Sequence, residues 1–114
     1  MTVAELMERI GAVNQTPEIE TGKQVTCGYC CDLLSWVMAH GDEGMGWVTV
    51  QTHMNVVAVA VLADMACIIL PEGITMEGES LQKAKDEDMV VLSSPLTAYE
   101  ICGRMAASGI PAHN

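Results

Sequence analysis

The stretch Lys23-Gln-Val-Thr-Cys-Gly-Tyr-Cys-Cys-Asp-Leu-Leu-Ser-Trp-Val-Met38 decides how the chain is read. Residues 24–26 are predicted as a strand, Gly28 gives a turn room to bend, and helical spacing begins at Tyr29. Cys30, Leu33, Leu34, Val37 and Met38 then share one helix face, with Asp32 and Ser35 off it. Asp32 stands near the helix start, where the dipole favours a carboxylate. His40-Gly41 closes the helix, and Gly41 suits a left-handed cap. Strand, turn and helix make one βα unit.

The unit recurs three times. Trp47-Val-Thr-Val-Gln51 alternates and is β-branched, which predicts a strand. Residues 55–64 read two ways: the valines favour a strand, while the length, the alanines and Asn55 as an N-cap favour a helix. Residues 66–70 form a strand-like run bounded by Pro71 and Gly73, and residues 76–88 a polar helix with Leu81 and Ala84 inward. Residues 89–92 are a further strand, ended by Ser93, Ser94 and Pro95. Thr97 caps a last helix to Ala107, with Glu100 completing a capping box and Ala98, Ile101, Cys102 and Met105 as its buried stripe. Ahead of these units lie a helix at residues 3–10, stopped by Gly11, and a polar loop at 14–22 with room for a short edge strand near Ile19. Strand, helix, strand is the simpler reading of residues 55–70. The order implies an α/β fold: a single three-layer domain, with a mostly parallel sheet of four to five strands and helices on both faces.

Bulk properties agree. A chain of 114 residues suits one domain, and a composition half hydrophobic, 18% charged and free of Phe predicts an aliphatic core. The net charge of −10, with only five Lys and Arg, excludes nucleic acid as a partner, since little is present to neutralise a phosphate backbone. Residues 1–11 form an amphipathic pattern bearing Glu5 and Glu8, unlike a basic leader. The apolar run at 54–70 is interrupted by Asp64 and too short to span a membrane. An odd count of five cysteines then fits a cytoplasmic chain with reduced thiols.

Ligands of open parallel sheets bind beyond the carboxyl ends of the strands. The residues predicted there are Gly28, Asp32, Gln51, Thr52, His53, Asn55, Gly73, Ser93 and Thr97, with Glu72 and Ser94 alongside. Each also serves as an ordinary turn or cap residue, so their convergence is the argument. Cys27-x-x-Cys30 at a helix start has the spacing of a redox pair or of half a zinc site, with Cys31 beside it. The other half of a zinc site is missing, because Cys67 and Cys102 stand alone; buried thiols acting as small hydrophobes are the plainer reading. His53 is a candidate base or ligand, but no motif sets a nucleophile beside it. There is no Walker lysine and no G-x-G-x-x-G.

Gly28, Asp32-Leu-Leu-Ser35 and Val37-Met38 resemble the G-x-x-x-D-L-L-S-x-V-M segment of small stand-alone DRTGG-domain proteins. Thr49-Val-Gln-Thr-His53 with Asn55-Val-Val-Ala-Val-Ala60 is similar to their T-x-Q-T-H-x-N-x-V-A-V-A segment. The likeness extends through Lys83-Ala-Lys85, Val91-Leu-Ser93, Tyr99-Glu-Ile101 and Gly109-Ile110, and is strongest over residues 22–110 of a single 1–114 domain. It makes residues 55–64 a helix. The resemblance implies the fold of the N-terminal domain of HPr kinase/phosphorylase without its kinase site. Such domains also stand beside CBS domains in regulated pyrophosphatases and in some phosphotransacetylases, and the stand-alone forms near hydrogenase and redox operons of anaerobes. The Asp-Arg-Thr-Gly-Gly string itself is absent, and the cysteine cluster is not a family feature. The expectation is a non-catalytic regulatory or assembly module without a cofactor. It is expected to be homodimeric, binding a nucleotide, a phosphometabolite or a redox-enzyme partner at the strand-end loops. The alternative is a redox-active or metal-binding accessory protein using Cys27, Cys30 and Cys31.

Overall fold

Two cores on opposite faces of one sheet organise the molecule, which the computed structural model describes over residues 1–113. The elements are α1 (Val3–Ile10), β1 (Val13–Asn14), β2 (Cys27–Cys30), α2 (Leu34–His40), β3 (Met45–Val48), α3 (Met54–Leu62), β4 (Cys67–Leu70), α4 (Gly78–Asp86), β5 (Val90–Ser93) and α5 (Ala98–Ala107). The sheet runs β1-β5-β4-β3-β2, with β2 to β5 parallel and β1 antiparallel to β5. This is the expected single α/β domain, with four βα units in sequence.

Because β2 to β5 follow one another across the sheet, their right-handed crossovers place α2, α3 and α4 on the same face. Helices α1 and α5 cover the other. Strand alternation divides the apolar side chains between the cores. Trp47, Ile68, Leu70 and Val91 face the first, while Val48, Cys67, Ile69 and Leu92 face the second. Each fully buried side chain of this size contributes roughly 1.5–3 kcal/mol, so neither face is dispensable. Trp47 is wholly buried and donates its indole N–H to the Cys31 carbonyl at 2.9 Å, tying the end of β2 to β3.

Two strands lie elsewhere than predicted. The second strand begins at Cys27, where residues 24–26 were expected, and the third is Met45–Val48, not 47–51. Gly28 therefore sits inside β2, paired with Gly46 of β3. A Cβ at either glycine would lie 3.0 or 3.2 Å from the Met105 methyl. These glycines let α5 approach the sheet, the role an isolated strand glycine often has.

Helix α2 starts at Leu34, so Tyr29 and Cys30 are strand residues, and only Val37 of the helix is buried. Leu33 and Met38, expected on its buried face, are exposed. Gly41 ends α2 in extended backbone rather than the left-handed cap. No strand forms near Ile19; the edge strand is Val13–Asn14, registered on Ser93 and Leu92. The cap of α3 is His53, with Asn55 already inside the helix. Thr97 caps α5 as expected, accepting from the Glu100 N–H at 3.2 Å. On the far edge, the tail closes over β2: Gly28 donates to the Pro111 carbonyl at 2.9 Å and Ala112 bridges it in parallel. That covers an edge otherwise open to strand addition.

Candidate functional site

The carboxyl ends of the four parallel strands gather the predicted residues into two groups. One joins the loops after β2 and β3. Asp32 leaves the strand next to Cys31, and its Oδ1 accepts from the Thr49 hydroxyl at 2.8 Å and the Val50 N–H at 2.9 Å. Thr49 Oγ1 accepts in turn from the Gln51 N–H at 3.2 Å, and the Gln51 amide donates to the Asp32 carbonyl at 3.2 Å. Asp32 thus clamps the neighbouring loop and does not cap its own helix, whose N-terminus receives no side-chain bond.

The clamped loop delivers half-buried Thr52 and exposed His53 and Asn55 to the start of α3. His53 Nδ1 accepts from the Asn55 N–H at 3.2 Å. An acceptor at Nδ1 makes the neutral ring carry its proton on Nε2, facing solvent. His53 is therefore a helix cap with an outward donor, which is a poor arrangement for a general base.

The second group lies after β4 and β5, where successive helices diverge to opposite faces of the sheet. A crevice is expected at such a divergence, but here the loops are stitched together. Glu72 N–H donates to Leu96 and Gly73 N–H to Ser94, both at 2.8 Å, while the Ser93 hydroxyl donates to Ile74 at 2.6 Å. Ser94, fully buried, donates to the Ile10 carbonyl at 2.6 Å. Gly73 supplies a left-handed turn, and Thr97 is exposed at its cap. The Ser93 and Ser94 hydroxyls thus spend their protons on backbone carbonyls. Gly28 joins neither group, being mid-strand.

The cysteines separate in the same way. Cys27, Tyr29 and Cys31 face the α2–α4 core, whereas Cys30 emerges on the α5 face beside Cys102. Two residues three apart in a strand point to opposite sides, so Cys27 and Cys30 do not form the expected pair. Burial raises the Cys27 thiol pKa and lifts that of Cys67 to about 12. Among the described residues, no three His, Cys, Asp or Glu side chains gather where they could hold a metal ion. The same residues include no helix long and apolar enough to cross a membrane.

Sequence reading missed Thr49, whose buried hydroxyl anchors the clamp, and Cys102, which lines one cavity with a cysteine 72 positions away. A threonine amid valines at a strand end was the only available sign of the first. Long-range pairing left no sign of the second. The concavities lie mostly elsewhere. An apolar groove of about 340 Å³ runs between α2 and α3 past Asn55, and a cavity of about 160 Å³ lies between β2 and α5. The largest, an open cleft of about 1010 Å³ against α1 and residues 14–22, contains none of the predicted residues.

No protein-family model matches the chain, and no curated protein matches it in sequence. Among solved structures, it is similar to the CBS and DRTGG domains of the regulatory region of Clostridium perfringens pyrophosphatase, complexed with the activator diadenosine tetraphosphate. The TM-score is 0.71 at 15% identity, over 98% of this chain and 48% of that one. The chain thus spans about half the length of that structure. The likeness supports a DRTGG-related fold.

Proposed function

We propose that the chain is a regulatory or assembly module without catalytic activity, binding an acceptor-rich small ligand at the loop between β3 and α3. The observation that carries this is the arrangement of His53. Its Nδ1 is committed to the helix cap and its Nε2–H is free to donate, beside the Thr52 hydroxyl and the Asn55 amide. The positive end of the α3 dipole adds to a site suited to anionic oxygen. A nucleotide or phosphometabolite has that chemistry. The DRTGG-related fold, seen in a regulatory region crystallised with a nucleotide activator, agrees with a regulatory role.

The module acts as a homodimer in this reading, or docks a redox-enzyme partner on the same surface. Leu33, Trp36, Met38 and Leu62 remain 54–78% exposed on α2, α3 and the loop before them. With Val50 and Met54 they are large apolar side chains left exposed, the kind of surface that a partner covers.

Calorimetry against a panel of nucleotides and phosphometabolites tests the ligand. His53→Asn keeps a good cap acceptor and removes the imidazole, so binding should weaken about tenfold, the value of one hydrogen bond to a charged acceptor. No heat from any compound removes the small-ligand reading. Sedimentation at micromolar concentration tests the dimer. A monomeric wild type removes it, and Trp36→Glu with Leu62→Glu should dissociate a true one.

A further inference from the structure

We infer that Cys30 and Cys102 form a dithiol–disulfide site, oxidised by low-molecular-weight disulfides and closing a covalent link between β2 and α5. The strand carries the argument. Its alternation turns Cys30 away from Cys27 and Cys31 and onto the face covered by α5. There Cys30 and Cys102 line the same cavity of about 160 Å³, with Met105, Ile110 and Pro111 around them. As residues, Cys30 is exposed and Cys102 half-buried, so the pair lies at the surface end of the cavity and not in the closed core.

The surroundings of Cys30 agree with a close pair. Its thiol pKa is pushed up to about 11, first by burial, then by the neighbouring Cys102, and further by Asp32 and Cys31. A thiol so placed is a slow nucleophile at neutral pH, which suits a site that changes state with the redox poise and not a rapid oxidoreductase.

The chemistry balances by exchange. The Cys30 thiolate attacks a disulfide RSSR, forming Cys30–S–SR and releasing RS⁻, which takes up the proton Cys30 lost. The Cys102 thiolate then attacks the Cys30 sulfur, forming Cys30–S–S–Cys102 and releasing a second RSH. Two protein thiols are oxidised and one external disulfide is reduced to two thiols. The product fixes β2 to α5 two residues before Asp32, at the root of the clamp.

The test is incubation of the full chain with glutathione disulfide, followed by alkylation and peptide mapping. The expected product is a monomer-mass chain about 2 Da lighter, with a single Cys30–Cys102 cross-link and three alkylated cysteines. Cys102→Ser should stop at a stable glutathione adduct on Cys30, while Cys31→Ser should still close the link. Circular dichroism confirms that each variant is folded. A link from Cys30 to Cys31 or to a second chain would overturn the inference, as would a persistent glutathione adduct on Cys30 in the wild type.

Discussion

Replacing Asp32 by alanine should destabilise the protein by about 2–3 kcal/mol, and the structure says where that comes from. One carboxylate oxygen holds two donors, the Thr49 hydroxyl at 2.8 Å and the Val50 N–H at 2.9 Å. Thr49 is only 1% exposed, so its hydroxyl finds no water when the carboxylate leaves, at a cost of about 1–3 kcal/mol. Val50 is exposed and its N–H is rehydrated, so that loss is about 1 kcal/mol or less. Asp32 itself is exposed, which discounts the strength of its charge-assisted bonds and sets the total near the middle of the range. For a domain of this size the melting temperature should fall by roughly 10 °C. A double-mutant cycle isolates the cause. In a Thr49→Val background no hydroxyl is left stranded, so Asp32→Ala should cost only about 1 kcal/mol, a coupling of 1–2 kcal/mol. Urea denaturation followed by circular dichroism measures all four corners. Strict additivity, or a loss under 0.5 kcal/mol for Asp32→Ala alone, would refute the clamp.

Other perturbations separate structure from site. Gly28→Ala should cost about 1 kcal/mol as the Met105 methyl shifts away, and should leave ligand binding unchanged in calorimetry, since Gly28 lies outside the loops. Cys67 should steepen alkaline unfolding. Burial lifts its folded pKa to about 12 from an ordinary value of 9.0, so between those values the unfolded chain has lost a proton that the native state keeps. Stability therefore falls as pH rises through that window, and Cys67→Ala should flatten the fall in melts taken from pH 8 to 11. His53→Ala should lose about 1 kcal/mol by removing the cap of α3, whereas His53→Asn should not, a contrast chemical denaturation reads directly. Once formed, the Cys30–Cys102 link closes a loop of roughly 70 residues. It should raise stability by about 4 kcal/mol on the chain-entropy model, reversed by a strong dithiol reductant in the same melt.

The alternation of element types was legible from local pattern everywhere but at residues 55–64, where valines and alanines pull opposite ways. Apolar β-branched runs such as Cys67–Leu70 cannot be mistaken once Pro71 and Gly73 bound them. The cap of α5 at Thr97 was legible for the same local reason. Boundaries failed where local and tertiary demands differ. Gly28 was read as a turn because glycine usually marks one, yet the constraint on it is the close approach of α5, almost eighty residues away. His53 displaced Asn55 as the cap because an imidazole nitrogen can play the part of a side-chain oxygen. Of the predicted residues, Asp32 after β2 and Gln51, Thr52, His53 and Asn55 after β3 lie together, whereas Ser93 and Gly73 are engaged with neighbouring backbone.

The cysteine motif shows how much depends on the element beneath a spacing. At a helix start, two cysteines three apart lie on one face and a C-x-x-C can close on itself. In β2 the same spacing sends them to different cores, and period two selects Cys27, Tyr29 and Cys31 as one set, with Gly28 and Cys30 as the other. What the first set does is pack: Cys27 is buried, and Cys31 gives its carbonyl to Trp47. What the second set does is meet α5, where glycine makes room for Met105 and Cys30 finds Cys102. The strand assignment thus removes one redox pair and creates another. Both conclusions stand or fall together, since any register that returned Cys30 to the side of Cys27 would also take it away from Cys102.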